Sequence, residues 1–309
     1  MKPIHIFLAV LVSIIWGIAF VVSKIGLESF TPPQLTALRF IVAALAVVIL
    51  PRPNIPWSAL IAIGLTVFTG QFLLQFFGIA YGMPAGLTAV VVQTQALFTV
   101  LFATLLIGDR PTSRQLTGML TAFIGLLMIG LTLGTSIPSL AFALTLASAI
   151  SWATGNVLVK RLPKVNTLHL MVWASLVPPL PAFAISAVLD GPTALFTAVA
   201  HASWLGLFAP LYLGVLASVF AYAIWGHLLQ RYSTGAVAPF ALLAPAVGAI
   251  ASAFITGESF GPVRLAGMGC MLLGLAIVVL PPNVFGAVFG RPRARSGGAG
   301  QGCCESGGR

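Results

Sequence analysis

The chain has 309 residues, of which 59% are hydrophobic and only 6% charged, with a mean hydropathy of +1.07. A soluble domain carries about 25% charged residues, so the composition excludes a water-soluble globular protein and indicates an integral membrane protein. The net charge of +10 comes from basic residues spread over short segments without interleaved aromatics, which argues against nucleic-acid binding.

A spanning helix needs about 20 mainly apolar residues. Cutting the chain at Pro, Gly and charged clusters predicts ten spans, roughly 4–27, 33–50, 58–80, 86–107, 114–133, 138–160, 168–189, 204–229, 234–256 and 263–281. The expected fold class is an all-α membrane protein of ten transmembrane helices. The first span is long enough to cross and is read as a helix of the bundle, not as a cleaved signal peptide. Pro178, Pro179 and Pro181 must disrupt span seven, and Pro210, Pro239 and Pro245 fall in spans eight and nine.

The two halves repeat each other. Gly108-Asp109, Leu116, Gly118 and Gly125 recur as Gly257-Glu258, Leu265, Gly267 and Gly274 at a constant offset of 149, and Trp16 and Lys24 recur as Trp152 and Lys160. Duplication across apolar helices is the mark of a transporter built from two repeats. The expected units are 4–133 (spans one to five) and 138–281 (spans six to ten). Five spans per half is odd, so the halves insert with opposite topology, and Asp109 and Glu258 become repeat-boundary elements on opposite faces. Gly118, Ala122 and Gly125, and Gly267, Cys270 and Gly274, make small-residue faces that either pack together or form a dimer seam.

Twelve of the fifteen Lys and Arg fall on one side if the N-terminus is cytoplasmic; Lys24, Arg39 and Arg264 are the exceptions. The positive-inside bias therefore puts both termini in the cytoplasm. Residues 283–309 are rich in Gly, Arg and Ser and read as a disordered basic cytoplasmic tail. Cys270 lies in span ten and Cys303-Cys304 in the tail, with no metal-ligand or disulfide spacing.

No catalytic constellation appears. Glu28, Asp109, Asp190, Glu258 and Glu305 sit at helix ends, in loops or in the tail, and the four histidines are scattered. An enzyme is not expected, nor a metal or cofactor. The lack of a mid-span carboxylate also leaves a coupling ion without an obvious ligand; His227 is the one weak candidate.

Uncharged polar residues inside spans are more informative. Gln71 and Gln75, four apart, share a helical face; Gln93 and Gln95 lie mid-span on nearly opposite faces; Asn156 follows Trp152 by four. Such amides either tie helices together or line a cavity. Trp16, Phe20, Trp152, Trp173, Tyr222 and Trp225 are aromatic candidates, either for ligand contact through cation–π attraction or for packing. Arg39, the one cation set inside a span, either captures a substrate carboxylate or snorkels outward. The cavity set predicted from these arguments is Trp16, Arg39, Gln71, Gln75, Gln93, Gln95, Asn156 and Trp225.

Trp16-Gly17-x-x-Phe20, Leu38-Arg39-Phe40, Gly108-Asp109-Arg110 and the mirrored Gly257-Glu258 resemble the EamA family of the drug/metabolite transporter superfamily over residues 4–281. Within it, Met83-Pro84-Ala85-Gly86-Leu87, Gln93-x-Gln95-Ala96-x-Phe98-Thr99, Val172-Trp173, Leu189-Asp190-Gly191 and Ile224-Trp225-Gly226 resemble members that export O-acetylserine and cysteine. One departure is Ser259, where the family often has Arg. The resemblance implies two inverted five-helix repeats around a central cavity, a place in the bacterial inner membrane, and efflux of small amino-acid metabolites. The expected partners are a small polar or zwitterionic solute and the lipid bilayer, with a homodimer left open. A broader exporter of other amino acids or amphiphilic drugs is the alternative, ahead of a non-transporting enzyme or scaffold.

Overall fold

A computed structural model describes residues 1–108, 110–132, 137–163, 165–232 and 234–279, and all regular structure among them is helical. In chain order, α1 is Pro3–Gly26, α2 Pro32–Val48, α3 Trp57–Ala80, α4 Ala85–Ile107, α5 Ser113–Gly130 and α6 Ser139–Lys160. Then come α7 Thr167–Leu189, α8 Ala194–His201, α9 Trp204–Arg231, α10 Thr234–Ala241, α11 Leu243–Thr256 and α12 Pro262–Val279. Among the described residues seven helices (α1, α3, α4, α6, α7, α9 and α12) are long and apolar enough to cross a membrane, and α2 and α11 are shorter apolar helices. The protein is a multi-pass membrane protein.

Several expected spans change shape. The seventh bends between Ala174 and Pro179, where consecutive prolines remove backbone donors. The ninth divides at Leu242 into α10 and α11; Pro245 has no N–H to offer the carbonyl four residues back, at Ala241, where α10 ends. The short α8 between the seventh and eighth spans was not foreseen. Asp109 and the tail 283–309 lie outside the described residues.

Helix ends are tied down by their own sequence. Thr31 with Gln34, and Thr112 with Gln115, form capping boxes on α2 and α5. The Asn166 carboxamide accepts from the Leu168 and His169 amides, and the Ser203 hydroxyl accepts from the Gly206 amide. These contacts satisfy donors that a helix start otherwise leaves open. Gly108 (φ +79°) and Gly257 (φ +66°) close α4 and α11 in the left-handed conformation that glycine adopts without strain.

The small-residue faces of α5 and α12 pack on each other within one chain. A Cβ added at Gly118 would lie 2.7 Å from the Gly274 carbonyl oxygen, and one at Gly125 would lie 2.5 Å from that of Gly267. Both gaps are too short for a side chain, so the backbones touch. The first glycine of one copy meets the second of the other, which makes the pair antiparallel. Gly17 and Gly248 bring α1 against α11 in the same way: a Cβ at Gly17 would lie 2.7 Å from the Ala244 carbonyl. Gly274→Val should cost about 1–3 kcal/mol or more in unfolding of the detergent-solubilised protein, because the obstacle is backbone. Gly269→Ala, on the same helix with nothing within 4 Å of the added carbon, should cost nothing measurable.

Candidate functional site

Between the helices lies a cavity of about 290 Å³, lined from α1 (Trp16, Phe20, Ser23), α2 (Arg39), α3 (Gln71, Phe72, Gln75), α4 (Gln93, Gln95), α6 (Trp152), α9 (Tyr222, Trp225) and α10–α11 (Ala241, Pro245). The first and second halves both contribute. The volume sits at the low end of small-molecule sites, which run from about 300 to 1,000 Å³.

Local distortions aim these side chains. Within α3, Gly64–Gly70 widens to a π-helical stretch, and within α9, Tyr212–Phe220 does the same. In each, a hydroxyl bonds back five residues: Thr69 Oγ1 donates to the Gly64 carbonyl at 3.1 Å and Ser218 Oγ to the Leu213 carbonyl at 2.8 Å. These two bonds are related by the same offset of 149 as the glycines. A widened turn resets the face that follows it, and Gln71 begins just after the first. In α4, a 3₁₀ turn at Val92–Thr94 corrects the expectation that Gln93 and Gln95 face apart. Both line the cavity, and Gln95 Nε2 donates to Gln93 Oε1 at 3.2 Å.

Arg39 is 5% exposed and turned inward, not snorkelling. Its guanidinium lies 3.8 Å from the centroid of the Phe72 ring and 5.4 Å from that of Phe40, and Nη2 donates to Ser218 Oγ at 3.3 Å. No carboxylate among the described residues pairs with it. Gln71 Nε2 donates to Gln75 Oε1 at 2.7 Å. Arg39 Nε and Gln71 Oε1 are buried and make no hydrogen bond. On the same lining, Trp16 stands 5.2 Å from Trp225 and 5.6 Å from Tyr222, centroid to centroid, with its Nε1 donating to the Ala217 carbonyl at 3.0 Å.

Of the eight residues predicted for the cavity, seven stand on its wall. Asn156 does not: its Nδ2 donates to Thr99 Oγ1 at 3.1 Å, a tie between α6 and α4. Trp173 is likewise a tie, its Nε1 donating to the Leu50 carbonyl at 3.0 Å. His227 is exposed on α9, 6.0 Å from the His5 ring, away from the cavity. Phe72, Ser23 and Pro245 line the wall without having been singled out for it; nothing in their residue types separates them from ordinary packing.

At one end of the bundle the second Gly-acid element makes a latch. Glu258 Oε1 meets Lys24 Nζ at 2.9 Å and accepts from the Ala85 amide at 2.8 Å, while Oε2 accepts from the Gly86 amide at 3.0 Å. The carboxylate thereby caps the start of α4 and joins it to the ends of α1 and α11. Burial raises the Glu258 pKa, but hydrogen bonds from Ser252, Lys24, Gly86 and Ala85 outweigh it and leave the group below its ordinary value.

The profile described as the EamA-like transporter family matches residues 3–131 and 139–280. A protein of Salmonella typhimurium named "Probable amino-acid metabolite efflux pump" is 39% identical, over 91% of this chain and 94% of its own length. One of the same name from Escherichia coli is 37% identical over 90% and 94%. An Escherichia coli protein named "Uncharacterized inner membrane transporter YedA" is 27% identical over 89% and 90%. A solved structure of 16% identity shares the fold with a TM-score of 0.58, over 90% of this chain and 96% of that one.

Because the folded Glu258 carboxyl titrates below its unfolded value, the stability it supplies is complete above the ordinary glutamate range. It is lost as pH falls through the folded value. Glu258→Gln should therefore cost about 1–3 kcal/mol at neutral pH. The gap from the parent protein should close as pH drops below the glutamate range; a gap that widens in acid would contradict the latch. Thermal unfolding in detergent across pH reads this.

Proposed function

The chain belongs to the EamA-like transporter family, and from that membership we propose that it exports small amino-acid metabolites, O-acetylserine and cysteine foremost, across the bacterial inner membrane. The observation that carries the reading is the cavity between the helices, built from both halves of the chain and lined by amides and aromatic rings around one buried cation. Such a lining, with its convergent amides and one cation, binds a small polar solute. The names of the two most similar relatives described above point to the same substrate class.

The mechanism proposed is alternating access: two inverted five-helix repeats, 4–133 and 138–281, rock about the midplane site with both termini in the cytoplasm. Three features support it. The α5–α12 glycines meet reciprocally and antiparallel, the widened segments of α3 and α9 carry matching bonds at one offset, and Trp16 and Trp152, mates in the repeat, both reach the cavity. Trp16, Arg39, Gln71, Gln75, Gln93, Gln95 and Trp225 are the proposed substrate contacts. The latch at Glu258 closes one end and must open for release on that side.

Counterflow of labelled O-acetylserine and cysteine in proteoliposomes tests this. Accumulation driven by unlabelled solute on the far side is expected for both. Uptake of other amino acids with neither of these overturns the narrow substrate assignment, and flux of no solute overturns the carrier. Gln71→Leu and Gln75→Leu should each weaken apparent affinity by about 2–10-fold, the worth of one hydrogen bond. Unchanged affinity in folded protein makes them helix ties.

A further inference from the structure

Two polar atoms on the cavity wall have no partner, and they are of opposite kind. Arg39 Nε is a donor and Gln71 Oε1 is an acceptor; both are buried. A buried polar group without a hydrogen bond is costly, and native interiors leave few of them. Arg39 is also a full charge, held by one hydrogen bond and two ring faces and paired with no carboxylate among the described residues. Both residues line the same cavity, and Phe72, next to Gln71 in sequence, is the ring on which the guanidinium rests at 3.8 Å. Neither is free to turn away. Phe72 and Ser218 hold Arg39, and the bond to Gln75 fixes the Gln71 amide.

We infer that this corner of the cavity is a head-group subsite for a zwitterionic α-amino acid, with the carboxylate on Arg39 and the ammonium on Gln71 Oε1. This deepens the export reading and rests on it. A carboxylate offers the planar pair of acceptors that suits a guanidinium fork. An ammonium offers the donor that Gln71 lacks. A bare amine leaves Arg39 unanswered and adds a second positive charge beside it. An N-acylated acid answers Arg39 but brings no cation. A ligand that carries both groups satisfies both atoms. The side chain then points to the aromatic part of the cavity, toward Trp16 and Trp225, where a short, weakly polar group fits the space. Specificity on this account is strict for the head group and loose for the side chain.

The test is ligand-induced thermal stabilisation of the purified full chain in detergent, with cysteine, cysteamine (no carboxylate) and N-acetylcysteine (no ammonium) as probes. Cysteine is expected to stabilise, and each trimmed analogue to bind at least about tenfold more weakly, since a site built for a polar group rejects the ligand without it. Arg39→Met separates recognition from architecture. Removing a poorly partnered buried charge should leave the ligand-free melting temperature unchanged or higher, while the cysteine-induced shift is lost; Arg39→Lys should retain part of it. Equal binding of all three probes, or an undiminished cysteine response in Arg39→Met, overturns the subsite but leaves the carrier standing. No stabilisation by cysteine or by any other common amino acid overturns both.

Discussion

Hydrocarbon supplies no water, so every polar group in this chain must find its partner inside the bundle. That constraint explains most of the hydrogen bonds. Thr36, Thr88, Thr104 and Thr145 return their hydroxyls to the carbonyl four residues back and so disappear as polar groups. Trp173 donates to the backbone carbonyl of Leu50, just past α2, and Tyr212 to that of Ile15 in α1. Helix starts are capped by Thr31, Thr112, Asn166 and Ser203. Against that background of self-sufficiency, Arg39 and Gln71 stand apart, and both line the same cavity.

The same constraint makes glycine the structural residue. With lipid on the outside, apolar side chains gain little by turning inward, so close backbone approach and dispersion hold helices together. The α5–α12 contact and the α1–α11 contact are of this kind. The second joins a helix of the first half to one of the second right beside the cavity, so packing and site share a wall. Glu258 adds a charged tie at the rim, where part-exposed Lys24 (35%) keeps contact with water.

Much of this was legible in the sequence, for physical reasons. Apolar runs of spanning length announced the helices, and the duplicated glycines announced surfaces of close approach before any coordinates. Gln71 and Gln75 were readable as one face because four residues make about one turn. Gln93 and Gln95 belong to the expected cavity set, but the same arithmetic sets them on opposite faces because it assumes a regular helix, and α4 tightens to 3₁₀ between them. Asn156, mid-span and four residues after Trp152, reads equally as cavity lining or as a helix tie; only the packing of α6 on α4, which puts Thr99 within its reach, decides for the tie. Whether Arg39 turned in or out depended on Ser218 and Phe72, which no local pattern ties to it. Gly257 closes α11, but that Glu258 would cap α4 from across the bundle is a tertiary fact.

The central claim is that one small cavity between two halves is exposed to each side in turn. Paired spin labels at Ser29 and Gly261, near the Lys24–Glu258 end, and at Asn54 and Arg231, near the other, measure it directly in a background without native cysteines. Adding cysteine to the reconstituted protein should shift the two distance distributions in opposite senses, one end closing as the other opens. Distances that stay fixed at both ends, or that open together, would contradict the account.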